Sequence, residues 1–158
     1  MLTDEIKKTL NLSDKEKTLI ITIGNSFRSD DGVALYIAEN IKNLPDYVTL
    51  LNAEDKPENI IDLAVSIMPS KTIIIDAANF EGSTGEIRLI PYDFIPDSTL
   101  STHTFPLKII VKILEEDTKT KVYFLAIQIQ NVELGENISN KVKESADELI
   151  EYLNSINK

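Results

Sequence analysis

The sequence predicts an α/β domain: a three-layer α/β/α sandwich on a five-stranded, mostly parallel sheet with one antiparallel strand. Three observations lead there. Short runs of β-branched and apolar residues at 18–23 (TLIITI) and 72–77 (TIIIDA) lack polar alternation, as strands covered on both faces do. Segments with helical spacing of apolar residues separate the strands. One strand, 86–90 (EIRLI), follows its predecessor too closely for a helical crossover and should run antiparallel.

The elements follow in order. Strand 18–23 leads into a polar loop from Gly24 to Asp31. Val33, Ile37, Ile41 and Leu44 recur at helical spacing, and Pro45 stops that helix. Residues 48–53 (VTLLNA) make the second strand. Pro57 opens a second helix carrying Ile60, Ile61, Ala64 and Met68, closed by Pro69. Strand 72–77 comes next, then a glycine-bearing turn at Gly82–Gly85, then strand 86–90. A long loop through Asp97–Thr104 ends at Pro106, where a helix starts with Leu107, Ile110, Val111 and Leu114 inward. Strand 121–129 (KVYFLAIQI) and a final helix with Ile138, Val142, Leu149, Leu153 and Ile156 on one face complete the chain. No repeat, low-complexity tract or linker interrupts it, so residues 1–158 read as one domain.

Composition narrows the function. The net charge of −10 disfavours a nucleic-acid backbone or an anionic membrane surface as partner. The absence of cysteine excludes disulfides, a thiolate nucleophile and a self-contained zinc–thiolate site. The acidic N-terminus is no secretory signal, and no apolar run approaches the ~20 residues of a membrane span. A cytoplasmic location is expected.

In doubly wound folds the site lies beyond the carboxyl ends of the strands, and few polar residues pass that filter. Asp30 and Asp31 sit at the start of the first helix. One aspartate there would ordinarily cap the helix, which leaves the other to face the crevice. Asp76 closes a buried strand, where a carboxylate is costly unless it is paired, ligated or at the open rim. Asn79 either serves the same site or makes the turn. His103 is the only histidine, in a hydroxyl-rich loop (Ser98, Thr99, Ser101, Thr102, Thr104) just before a helix. Two carboxylates and one imidazole from three loops make a facial ligand set with open positions, suited to a metal that another molecule also ligates.

Competing chemistries fit less well. Gly24 and Gly32 do not form a dinucleotide fingerprint, and an acidic pair would repel a pyrophosphate. Ser26 and Ser101 lack a nucleophile-elbow setting for a serine triad. A single histidine excludes the H-E-x-x-H motif.

The sequence resembles the [NiFe]-hydrogenase maturation endopeptidases over nearly its whole length. The family's G-N-x-x-x-x-D-[DE]-G motif stands as Gly24-Asn25-Ser26-Phe27-Arg28-Ser29-Asp30-Asp31-Gly32 after a strand. Its strand-closing aspartate stands as Ile73-Ile74-Ile75-Asp76-Ala77-Ala78, and its histidine motif as Ser101-Thr102-His103-Thr104-Phe105-Pro106-Leu107. The segments Asn52-Ala53-Glu54-Asp55-Lys56-Pro57-Glu58 and Gly85-Glu86-Ile87-Arg88-Leu89-Ile90 bring it nearest the formate-hydrogenlyase (hydrogenase 3) branch. Ala34 departs from the pattern where many members carry a second glycine.

The resemblance implies Asp31, Asp76 and His103 as metal-contacting and catalytic residues. It implies hydrolysis that removes the C-terminal extension of a [NiFe]-hydrogenase large-subunit precursor after nickel insertion. The nickel would come from the precursor, with no resident cofactor. Two rivals stand beside this reading. A nickel-binding chaperone without protease activity would use the same ligands. A receiver-like signalling domain shares the acidic doublet and the strand-three aspartate, but residues 128–140 lack the lysine that such a domain needs.

Overall fold

The computed structural model describes residues 2–96 and 106–156. The chain forms α1 (Asp4–Thr9), β1 (Thr18–Ile23), α2 (Val33–Asn40), β2 (Val48–Glu54), α3 (Ile61–Ile67), β3 (Lys71–Ala78), β4 (Ile87–Ile90), α4 (Leu107–Thr118), β5 (Lys121–Gln128) and α5 (Asn140–Ser155). The five strands make one sheet in the order β2-β1-β3-β5-β4. Neighbouring pairs are parallel except β4 with β5, which is antiparallel. The expected architecture is the observed one. β4 reaches its antiparallel place across β5 and does not fold back on β3.

Every residue of β1 and β3 is buried, which explains why their sequences do not alternate. Alternate residues feed two cores. Ile20, Ile73, Ile75 and Leu125 face α1, α2 and α5 through Ile6, Ile37, Val142, Leu149 and Leu153. Leu19, Ile21, Ile74 and Phe124 face α3 and α4 through Ala64, Leu107, Ile110 and Leu114. At roughly 1.5–3 kcal/mol per fully buried aliphatic side chain, these two layers dominate the stability of the fold.

Helix bounds depart from the sequence reading: Ile60 and Met68 flank α3 instead of lying within it, Ile138 precedes α5, and two further differences have clear causes. α1 was not anticipated. Thr3 caps it, its hydroxyl accepting from the Ile6 amide at 3.2 Å, and Leu2, Ile6 and Leu10 are buried. The first long helix ends at Asn40, and Ile41 is extended. The polar groups at that end are taken by α5. Asn154 donates from Nδ2 to the Asn40 carbonyl at 3.1 Å and accepts the Lys42 amide at 2.8 Å. Ile41 and Leu44 still pack on the core, from extended chain.

Candidate active site

The strand order places the crevice. From β1 the chain passes through α2 to β2 on one side, then returns through α3 to β3 on the other. The connections diverge between β1 and β3, the position where such sheets open a cleft at their carboxyl ends. The loop after β1 and the end of β3 meet there.

Asp31 lies on a 3-10 turn, Ser29–Gly32, that packs against β3. The loop closes tightly to bring it there. The Asn25 amide donates to the Asp31 carbonyl at 3.0 Å, and the Asp31 amide donates to the Arg28 carbonyl at 3.1 Å. A Cβ on Gly24 would stand 2.1 Å from the Asp31 carbonyl oxygen, so only glycine permits this closure. Asp31 is 0% exposed and Asp76 is 1% exposed.

That burial removes the open rim from the settings considered for Asp76. β3 continues two residues past Asp76 to Ala78, and Asp76 pairs in register with Ala126 of β5. Asp76 alternates with Ile74 and Ala78, which pack in the α3–α4 core layer. His103 lies outside the described residues; of the other two expected ligands, Asp31 lies on a turn packed against β3 and Asp76 lies within β3. Among the described residues no three His, Cys, Asp or Glu side chains group closely enough to hold one ion.

The capping expectation is also corrected. Neither aspartate of the doublet caps α2, whose N-cap is Gly32 with no side-chain bond. Asp30 is 0% exposed and accepts from the far side of the chain, from the amides of Gln130 and Asn131 and from Ser139. Asn79 makes the turn, its Oδ1 accepting from the Glu81 amide and from Gln128 Nε2, both at 3.1 Å. Gln128 in turn receives the Phe80 and Gly82 amides at 2.9 and 3.1 Å. Glu58, just past β2 in a 3-10 turn, buries its Oε2 with no hydrogen-bond partner among the described residues. Beside the end of β3 opens a cleft of about 410 Å³, lined by Phe80, Arg88, Ile90, Pro91, Phe94 and Pro96. Its Arg88 guanidinium lies 4.5 Å over the Phe80 ring.

A family model described as hydrogenase maturation protease matches residues 35–156. The chain belongs to the hydrogenase maturation protease family. The match spans Asp76 and His103 and begins just after Asp31. A Methanocaldococcus jannaschii protein named as a hydrogenase maturation protease is 34% identical over 166 residues, covering 97% of this chain and 92% of the relative. The Escherichia coli hydrogenase 3 maturation protease is 29% identical over 138 residues, covering 85% of this chain and 87% of its own. The crystal structure of a [NiFe] hydrogenase maturation protease from Thermococcus kodakarensis superposes with a TM-score of 0.78 at 28% identity, over 91% of this chain and 94% of that one. This hydrogenase maturation protease is therefore a peptide-bond hydrolase by family, without a cysteine to act as nucleophile. No helix among its described residues is long and apolar enough to cross a membrane.

Proposed function

We propose that the chain removes the C-terminal extension of a [NiFe]-hydrogenase large-subunit precursor after nickel insertion, and that it recognises the bound nickel through Asp31, Asp76 and His103. The observation that carries this reading is the burial of two carboxylates at the strand-order reversal of a maturation protease. Buried carboxylates favour a cation in their company, and oxygen donors suit the open positions of an ion whose other ligands come from elsewhere.

In this reading nickel is part of the substrate. The precursor supplies its own ligands, and the protease adds oxygen and nitrogen donors from outside. The bound ion marks the precursor as loaded and lies within reach of the scissile carbonyl or of the attacking water, either of which it would polarise. The cleft beside β3 offers apolar walls and one guanidinium to the peptide next to the cut. Other divalent ions are expected to stand in for nickel at the ligands. The isolated protease should hold nickel weakly, because closed metal sites use four ligands and often sulfur.

The test is incubation of the full chain with nickel-loaded precursor, with the C-terminal cut read by mass. Binding of loaded precursor without any cut would favour the chaperone reading. Absence of both would remove the proposal.

A further inference from the structure

The Asp30 side chain accepts four hydrogen bonds beside the candidate ligand Asp31. Its Oδ2 accepts from the Gln130 amide at 2.8 Å, the Asn131 amide at 2.9 Å and the Ser139 hydroxyl at 2.8 Å. Its Oδ1 accepts from the Ser139 amide at 2.6 Å. A carboxylate with several short N–H and O–H donors is well satisfied in a buried place. All the donors come from residues 130–139, the irregular segment between β5 and α5.

The same turn is tied to that segment along its backbone. The Asp30 amide donates to the Asn131 carbonyl at 2.9 Å, the Ser29 amide to Gly135 at 2.8 Å, and the Gly135 amide back to Phe27 at 2.8 Å. The Ser29 hydroxyl donates to the Glu133 carbonyl at 2.7 Å. Ser29 itself has φ of 53°, a left-handed conformation that a serine adopts only when its surroundings hold it there. The strain sits two residues before Asp31.

Successive residues of a 3-10 helix project about 120° apart. With Asp30 pinned to the β5–α5 segment, Asp31 must point away from it, and the turn packs against β3 as well as against the helix it leads into. We propose that Asp30 is a positioning residue: it fixes the rotation of the Ser29–Gly32 turn, and so aims the Asp31 carboxylate at the end of β3. This rests on the metal-contacting reading of Asp31 given above. Asparagine cannot replace Asp30, because its amide group would set N–H against at least one of the four donors.

The experiment compares wild type, Asp30→Asn and Ser139→Ala in the full chain. Two readouts are taken per folded molecule: steady-state cleavage of nickel-loaded precursor, and titration of the isolated protein with Ni²⁺ alone. Loss of a group that orients a metal ligand ordinarily costs about 10–100-fold in affinity or activity. Asp30→Asn is expected to lose that much kcat, with KM within about threefold, and to weaken Ni²⁺ binding by a similar factor. Ser139→Ala removes one donor of four and should lower both by about fivefold.

A merely structural clamp would lower the melting temperature and leave both quantities unchanged per folded molecule, which would overturn the proposal. Should Asp30→Asn fail to fold, Ser139→Ala decides by the same criterion. If the wild type leaves loaded precursor uncut, the proteolytic reading fails, while the Ni²⁺ titration still judges the role of Asp30.

Discussion

The two ends of the sheet bury polar groups of different kinds. At the amino end they are mostly hydroxyls: Thr18, Thr72, Thr118 and Thr120 are all buried. Thr72 and Thr120 share one hydrogen bond at 2.9 Å, and Thr118 donates to the Leu114 carbonyl at 2.6 Å. At the carboxyl end they include Asp30, Asp31 and Asp76, all within 1% of full burial. A hydroxyl both donates and accepts, so two of them satisfy each other; an ionised carboxylate only accepts. Buried carboxylates must recruit donors or a cation. Asp30 recruits four donors from one distant segment. The proposed function assigns Asp31 and Asp76 a cation brought by the substrate. The amino end is thus satisfied by paired hydroxyls, whereas the carboxyl end concentrates buried carboxylates.

The largest expected effect breaks or sustains that contrast directly. Asp31→Asn, Asp76→Asn and His103→Ala should each lower processing by at least about 10³-fold, some 4 kcal/mol of transition-state stabilisation. The two asparagine variants keep volume and remove buried charge, so their melting temperatures should match or exceed wild type, the usual trade at a functional site. Activity within about tenfold of wild type in any of the three would remove that residue from the site.

The next effect concerns the cation. On the proposed function, nickel-free precursor would bring no positive charge to the buried Asp31 and Asp76, and negative charge left uncompensated in a dry interface disfavours docking. Cleavage of nickel-free precursor, at equal concentration, should be at least about tenfold slower than of loaded precursor. Equal rates would show that the carboxyl end, like the amino end, is complete by itself.

A smaller effect tests the amino end. Thr72→Val or Thr120→Val alone strands one buried hydroxyl and should cost about 1–2 kcal/mol in denaturant unfolding. The double variant replaces both partners by apolar groups of similar shape and should recover part of that loss, a coupling that a double-mutant cycle measures. Processing per folded molecule should be that of wild type throughout. A processing defect would mean that the two ends are not separable.

What the sequence discloses follows the same division. The run Thr18-Leu19-Ile20-Ile21-Thr22-Ile23 marks β1 because burial on both faces leaves a composition that no surface element has. The rule that sites lie past the carboxyl ends of the strands then makes Asp31 and Asp76 candidates, while the strand order that puts a switch point between β1 and β3 is visible only in the structure. Asp30 was legible only as half of a doublet, because its partners are about a hundred residues away and no local pattern encodes them. α1 has six residues, too few to be stable alone, and its signal was Leu2, Ile6 and Leu10 four apart beside a threonine cap. The end of α2 at Asn40 depends on Asn154, a contact that helical periodicity cannot register.

The smallest expected effect lies with Lys71, a cation buried at the amino end. It is 8% exposed, with its ammonium 5.8 Å from the centre of the Tyr123 ring. Burial holds its pKa below the ordinary 10.5, only partly opposed by the charge of Glu16. The sign follows from proton counting. Below the folded pKa both states carry the proton, and the folded state bears the full cost of desolvating it. Between the folded pKa and 10.5 the unfolded chain binds more protons, so this group makes stability rise with pH across that window. Lys71→Met keeps the apolar stem and removes the ionising group, at the loss of the contact with Tyr123. The variant should gain less than ~1 kcal/mol at neutral pH, and its advantage over wild type should shrink as pH climbs towards 10.5. Unfolding of both proteins at a series of pH values gives the difference curve. A curve that is flat, or that widens with pH, would mean that the amino end accommodates its charge at no cost, and that the contrast between the two ends rests on the carboxylates alone.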